Sequence, residues 1–151
     1  MSAIGLADLT GEWTGTNKLW LRPGDPVRES TTTASLSLVG QGQFAMLRYT
    51  WADEGKPQDG TLLIGTAAGS AEDIVWLDSW HLRDMIMRLQ RQPPGDALLD
   101  ALGSYAAPPG PDWGWRIVLR PESRDAFRML MYNITPDGEE MLAVEAAYTR
   151  R

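Results

Sequence analysis

The residues best placed to do chemistry lie close together in the run DIVWLDSWHL, where Asp78, Ser79 and the sole histidine, His81, fall within four positions. Asp78 stands between Trp76 and Trp80. On an extended segment all three share one side, so the carboxylate would be desolvated and able to act as acid, base or hydrogen-bond acceptor. The more common role for such a group is structural, accepting a backbone or tryptophan N–H where a strand bends. His81 falls on the opposite side of the pleat and meets Asp78 only if a bulge rotates the strand end. Ser79 is two residues from His81, about 7 Å along a strand, too far for direct proton transfer. Asp and His without a paired nucleophile are an incomplete hydrolytic set, and the pattern places His81 on the surface.

Other polar candidates are Tyr105, Tyr132 and Tyr148, which could orient a ligand or simply pack in a wall with a hydrated hydroxyl. Arg48, Arg116 and Arg128 fall on faces expected to be solvated. Gly65 to Ser70 (GTAAGS) lacks the lysine and following helix of a phosphate loop. The acidic stretches WADEGK and SAED lack the spacing of a dedicated calcium site. The chain contains no cysteine, which excludes disulfides, thiolate nucleophiles and thiolate metal sites, and one histidine excludes a multi-histidine metal cluster. No metal or cofactor is implied. With 14 basic against 20 acidic residues, a net charge of −6 and no basic cluster beyond Arg150 and Arg151, neither nucleic acid nor an anionic membrane is an expected partner. The opening MSAIGLADLTGEW lacks the basic and apolar regions of a signal peptide, no apolar run reaches membrane-helix length, and a cytoplasmic location is expected.

The elements that must position these groups are short and extended. Fifteen glycines and ten prolines punctuate 151 residues about every ten positions, the spacing of many short strands. Strands are predicted over 11–21, 30–39, 44–51, 62–67, 73–82, 85–90, 113–120, 126–134 and 140–149. Residues 98–106 fit a strand or a helical turn. Nine or ten strands joined mostly by short loops form an antiparallel up-and-down meander, and closing it into a barrel removes its exposed edges. The all-β barrel is expected to be one domain spanning 1–151, with 43% hydrophobic residues to fill it.

Seven tryptophans and seven methionines set the character of the interior. Period-two faces turn Ile74, Trp76, Asp78 and Trp80 inward, with Trp113, Trp115, Ile117 and Leu119, with Phe127, Met129, Met131 and Asn133, and with Leu142, Val144, Ala146 and Tyr148. Ala45, Leu47, Tyr49 and Trp51 also face in, leaving Arg48 outside. Eight to ten strands enclose room for one small ligand, although side chains fill many small barrels completely. In a hollow interior, Trp76, Trp80, Trp115, Met129 and Met131 would line a cavity for an apolar or aromatic molecule, with Asp78 and Tyr148 orienting it.

The Gly11-Glu12-Trp13 tripeptide resembles the Gly-x-Trp signature of the first strand of lipocalins and their calycin relatives. In that family the tryptophan plugs one end of the barrel. YTWADEGKPQDGTLLIG, WLDSW, NITPDGEE and the closing AYTR extend the resemblance along nearly the whole chain. Together they resemble a bacterial family of uncharacterised lipocalin-like proteins, similar in plan to nitrobindin-type and fatty-acid-binding-protein-type barrels. The first of these types binds haem through a histidine near the C-terminus, and this chain has none there. The second holds a carboxylate with an Arg-x-Tyr pair on the last strand; here the order is reversed, Tyr148-Thr149-Arg150.

The leading expectation is therefore binding of a small apolar or aromatic molecule in a barrel cavity. One alternative is an enzyme on the same scaffold, moving a proton, isomerising or decarboxylating a small organic acid with Asp78 and a tyrosine; this rests on fold analogy. Another is a filled barrel acting as an interaction module, with self-association into a homodimer through an exposed edge or apolar patch left open.

Overall fold

In the computed structural model, which describes residues 4–66, 74–93 and 95–151, ten antiparallel strands close into one barrel. They are β1 (Gly11–Leu19), β2 (Arg28–Val39), β3 (Phe44–Asp53), β4 (Lys56–Gly65), β5 (Ile74–Asp78), β6 (Met87–Arg91), β7 (Leu99–Tyr105), β8 (Trp113–Ser123), β9 (Ala126–Ile134) and β10 (Glu140–Arg150). Each strand pairs with its neighbour in sequence, and β10 returns to β1. This is the expected meander, and closure leaves no free edge among the described residues. The ambiguous LLDALGSY segment is strand β7, paired from Leu99 with Leu119 to Tyr105 with Trp113. Most of GTAAGS and SAED lies outside the described residues. Among the described residues no helix is long and apolar enough to cross a membrane.

Two local departures have clear causes. The stretch ADEGKPQDG is not a long loop. Glu54 and Gly55 both take positive φ, 51° and 80°, and form a two-residue hairpin turn that lets β4 begin at Lys56. Pro57 is tolerated because it is the second residue of β4, ahead of the ladder with β5 that begins at Gly60 opposite Asp78, so its missing N–H costs no bond to that strand. In β10 the register shifts between Leu142 and Val144. This bulge leaves Leu142 opposite Tyr132 on the outer face and turns Ala143 toward the open end, correcting the inward placement of Leu142.

One end of the barrel is shut. A short 3-10 helix, Leu6–Leu9, precedes β1 and was not signalled by the hydrophobic pattern. Leu9 is fully buried, and its carbonyl accepts the indole N–H of Trp13 at 2.9 Å. Phe127 meets Trp13 edge-on at 4.8 Å, and Tyr148 stacks on Phe127 at 4.9 Å. Arg150 belongs to β10 rather than lying beyond it. Its guanidinium covers the Trp13 ring at 4.4 Å and donates to the carbonyls of Thr10 and Asp8. The inner faces of all ten strands supply the core, including Leu36, Leu47, Leu62, Ile64, Leu89, Leu99 and Ile117.

Candidate ligand cavity at the open end

Asp78 ends β5 and is 1% exposed. Its Oδ1 accepts the backbone N–H groups of Trp80 and His81, both at 2.9 Å. Its Oδ2 accepts the Tyr49 hydroxyl at 2.7 Å and the Trp51 indole N–H at 3.2 Å. Tyr49 in turn accepts the Trp76 indole N–H at 2.9 Å, which fixes the direction of its own proton toward Asp78. The carboxylate accepts four hydrogen bonds and donates none, the pattern of the ionised form. Burial pushes the Tyr49 phenol well above its ordinary value, and the charge of Asp78 adds to this.

The two bonds to Oδ1 are those of an Asp-capped turn, and they bend the chain away from the sheet. Leu82 N–H then donates to the Asp78 carbonyl at 3.0 Å, and Met85 N–H to the Leu82 carbonyl at 3.1 Å. The strand therefore stops before Trp80, and the pleat no longer decides where His81 points. The imidazole turns inward, which corrects its expected surface position. It packs against Trp51, Trp76, Trp80 and Trp115 with ring centroids 5.7, 5.6, 4.7 and 5.2 Å away. Burial lowers its pKa below the ordinary histidine value, against the opposing charge of Asp78.

Gly60 makes this arrangement sterically possible. It pairs with Tyr49 on one side and Asp78 on the other. A Cβ at position 60 would overlap the Tyr49 phenol oxygen, so only glycine lets the ring lie flat across β4 to reach the carboxylate.

The open end holds a cavity of about 510 Å³, within the range that takes one small molecule. Its wall is mainly aromatic and thioether: Trp20, Trp76, Trp80, Trp115, Met85 and Met87, with His81 beside them. Trp76 and Trp115 stack nearly parallel at 5.4 Å. Tyr105 reaches the cavity with its hydroxyl donated to Asn133 Oδ1. Among the described residues no Lys, Arg, Asp or Glu lines it. The Trp115 indole N–H is buried within the wall without a hydrogen-bond partner.

The residues singled out in sequence thus divide into four groups. Trp76, Trp80 and Trp115 line the cavity. Asp78, Met129 and Met131 lie one layer deeper, around a void of about 10 Å³ that His81 also borders. Tyr148 is at the shut end, sharing a 2.9 Å hydrogen bond with the Thr32 hydroxyl. Tyr132 is on the outer face beneath Arg116, which pairs with Asp100 at 2.7 Å and Glu140 at 2.8 Å. Arg128 pairs with Glu145 at 3.0 Å, and Arg48 is exposed. Sequence reasoning did not single out Trp20, Met85 and Met87 for the cavity. They flank turns, where period two gives no face; an Asp followed by Ser-Trp-His was the one available signal of a capped turn.

A family profile described as a protein of unknown function, DUF1579, matches residues 5–150. No curated protein matches the chain. Among solved structures, the crystal structure of Rv2717c from M. tuberculosis superposes with a TM-score of 0.59 at 16% identity, covering 97% of this chain and 94% of that one. An S-type phycobiliprotein lyase, CPES, from Guillardia theta superposes with a TM-score of 0.56 at 10% identity, covering 97% and 90%. These likenesses establish a shared barrel fold.

Proposed function

We propose, for a chain that belongs to the DUF1579 family, that the barrel binds one small apolar or aromatic molecule at its open end. The observation that carries this reading is the aromatic cavity of about 510 Å³ above a buried floor whose void measures about 10 Å³. Trp76, Trp80 and Trp115 line the ligand's space, with Trp20, Met85 and Met87 completing the wall. Asp78, Met129 and Met131 act from the layer beneath, the first by fixing the turn that carries Trp80 and His81. Tyr148 supports the shut end, and its contribution to binding is indirect. The phycobiliprotein lyase among the structural neighbours supports small-molecule handling by fold analogy. We read the barrel as lipocalin-like. Its likeness to nitrobindin-type and fatty-acid-binding-protein-type barrels rests on strand plan alone.

The enzyme reading has less support. Proton transfer by Asp78 needs a free lone pair, and four donors occupy the carboxylate. Titration with a panel of neutral aromatic probes, followed by tryptophan emission, tests the binding reading. A saturable quench or blue shift at one molecule per chain is expected, weakened at least tenfold by Trp80→Ala. Flat titrations across the panel would overturn it.

A further inference from the structure

The buried Asp78 carboxylate has no cationic partner. All four of its donors are neutral, and among the described residues neither Lys nor Arg forms an ion pair with it. The ion pairs among the described residues each include a partner that is partly exposed, where solvent screens them. The interior therefore holds one uncompensated negative charge directly beneath the aromatic cavity. The wall above it includes the indoles of Trp20, Trp76, Trp80 and Trp115 and the phenol of Tyr105. Each of these rings carries the negative side of its quadrupole on its faces. An anionic ligand would meet no cation in that wall and would be repelled by Asp78. A neutral ligand would satisfy the apolar surface but leave the carboxylate unbalanced. A positively charged organic group gains from both the ring faces and the buried charge.

From this geometry we propose that the ligand is an organic cation of the aromatic quaternary ammonium class, bound by the Trp20, Trp76, Trp80 and Trp115 faces with Asp78 as its buried counter-charge. The inference deepens the binding function above and depends on it. The Trp115 N–H does not oppose it, because that group is buried in the wall rather than turned to the ligand.

His81 makes the cation preference depend on pH. The titratable groups packed around it are Asp78 from β5, Tyr49 from β3 and Tyr105 across the cavity from β7. Both tyrosines remain neutral through the acid range, since burial raises them. Protonating His81 places a positive charge among the same indoles and against the same carboxylate, so it competes with a cationic ligand. The cation binds best where His81 is neutral and is released as the pH falls through the His81 titration.

Three ligands of matched shape separate the outcomes: phenyltrimethylammonium, tert-butylbenzene and benzoate, titrated at pH 8 and pH 5 by tryptophan emission and calorimetry. The expected order at pH 8 is the cation about tenfold or more tighter than its neutral isostere, with benzoate weakest. The cation's advantage should shrink at pH 5 and in Asp78→Asn. Replacing His81 by Gln should abolish its pH dependence. Equal affinities for the cation and tert-butylbenzene in the wild-type protein at pH 8 would overturn the cation assignment while leaving the binding function intact. If none of the three binds, both fail together. The wild-type comparison decides the matter even if Asp78→Asn does not fold.

Discussion

Asp78 shows how one side chain serves two levels of structure. Its Oδ1 holds the backbone of the turn, and its Oδ2 holds the Tyr49–Trp51 side of the interior. Tyr49 is the least replaceable link, because it donates to Asp78 and accepts from Trp76. Tyr49→Phe removes both bonds, leaving the Trp76 N–H without a partner and Asp78 Oδ2 with the Trp51 N–H alone, at a cost of about 2–4 kcal/mol for the two bonds together. A fall of that size in urea-unfolding free energy is expected. A change under 1 kcal/mol would show that the network contributes little. Gly60→Ala should be at least as damaging, since the added methyl occupies the phenol's place.

His81 gives a prediction with a definite sign. Burial lowers its folded-state pKa below the unfolded value of 6.5, so the unfolded chain takes up this proton first as the pH falls. Its contribution to stability is complete above pH 6.5 and is lost as the pH falls toward the folded-state value. Thermal midpoints should therefore drop between pH 7 and pH 5, and His81→Gln should flatten that part of the profile. A midpoint that rises on acidification would contradict the burial of this ring. The inward turn of His81 was legible only in hindsight. Alternation correctly placed Ile74, Trp76 and Asp78 inside, but it applies only while the chain stays extended, and the side chain of Asp78 itself ends the strand.

Strand lengths and the extent of pairing differ around the barrel. β8 and β9 pair over nine positions, whereas β6 pairs with β5 at three and with β7 at two. The short seam adjoins the cavity wall at Met87. Gly103 of β7 faces Met87 so closely that a Cβ there would strike its sulfur. Few ladder bonds mean cheap local opening. Amide exchange should be fastest in β6 among the strands and slowest in β8 and β9, and ligand should protect β6 more than β9. Equal protection around the barrel would refute a soft seam. At this scale the sequence was informative about number and order, because glycine and proline mark strand ends. It was uninformative where a turn is only two residues long, as at Glu54–Gly55, or where a bulge resets the pleat, as at Leu142–Val144.

The whole molecule divides its labour between its two ends. The shut end concentrates Leu9, Trp13, Phe127 and Tyr148, with Arg150 as a cover. The open end keeps aromatic surface unfilled. Stability and binding are therefore expected to separate on mutation. Arg150→Ala removes the stacking over Trp13 and the bonds to the carbonyls of Thr10, Asp8 and Arg124, and should cost about 1–3 kcal/mol. Probe affinity at the open end should stay within about twofold of wild type, well under the 1.4 kcal/mol of a tenfold change. The division was partly legible, since the resemblance carried by Gly11-Glu12-Trp13 implied a plugged end and the tryptophan content pointed to an aromatic interior. Which tryptophans border space and which border other side chains depends on closure geometry, a three-dimensional property that no periodicity encodes.

The seven indole N–H groups provide a direct readout of that division. In a nitrogen–proton correlation spectrum each gives one signal, and tert-butylbenzene can be titrated against all seven at once. The signals of Trp20, Trp76, Trp80 and Trp115 should move together and saturate, while Trp13 at the shut end stays in place. Perturbation of Trp13 instead, or no movement at any of the four, would contradict a ligand cavity at the open end.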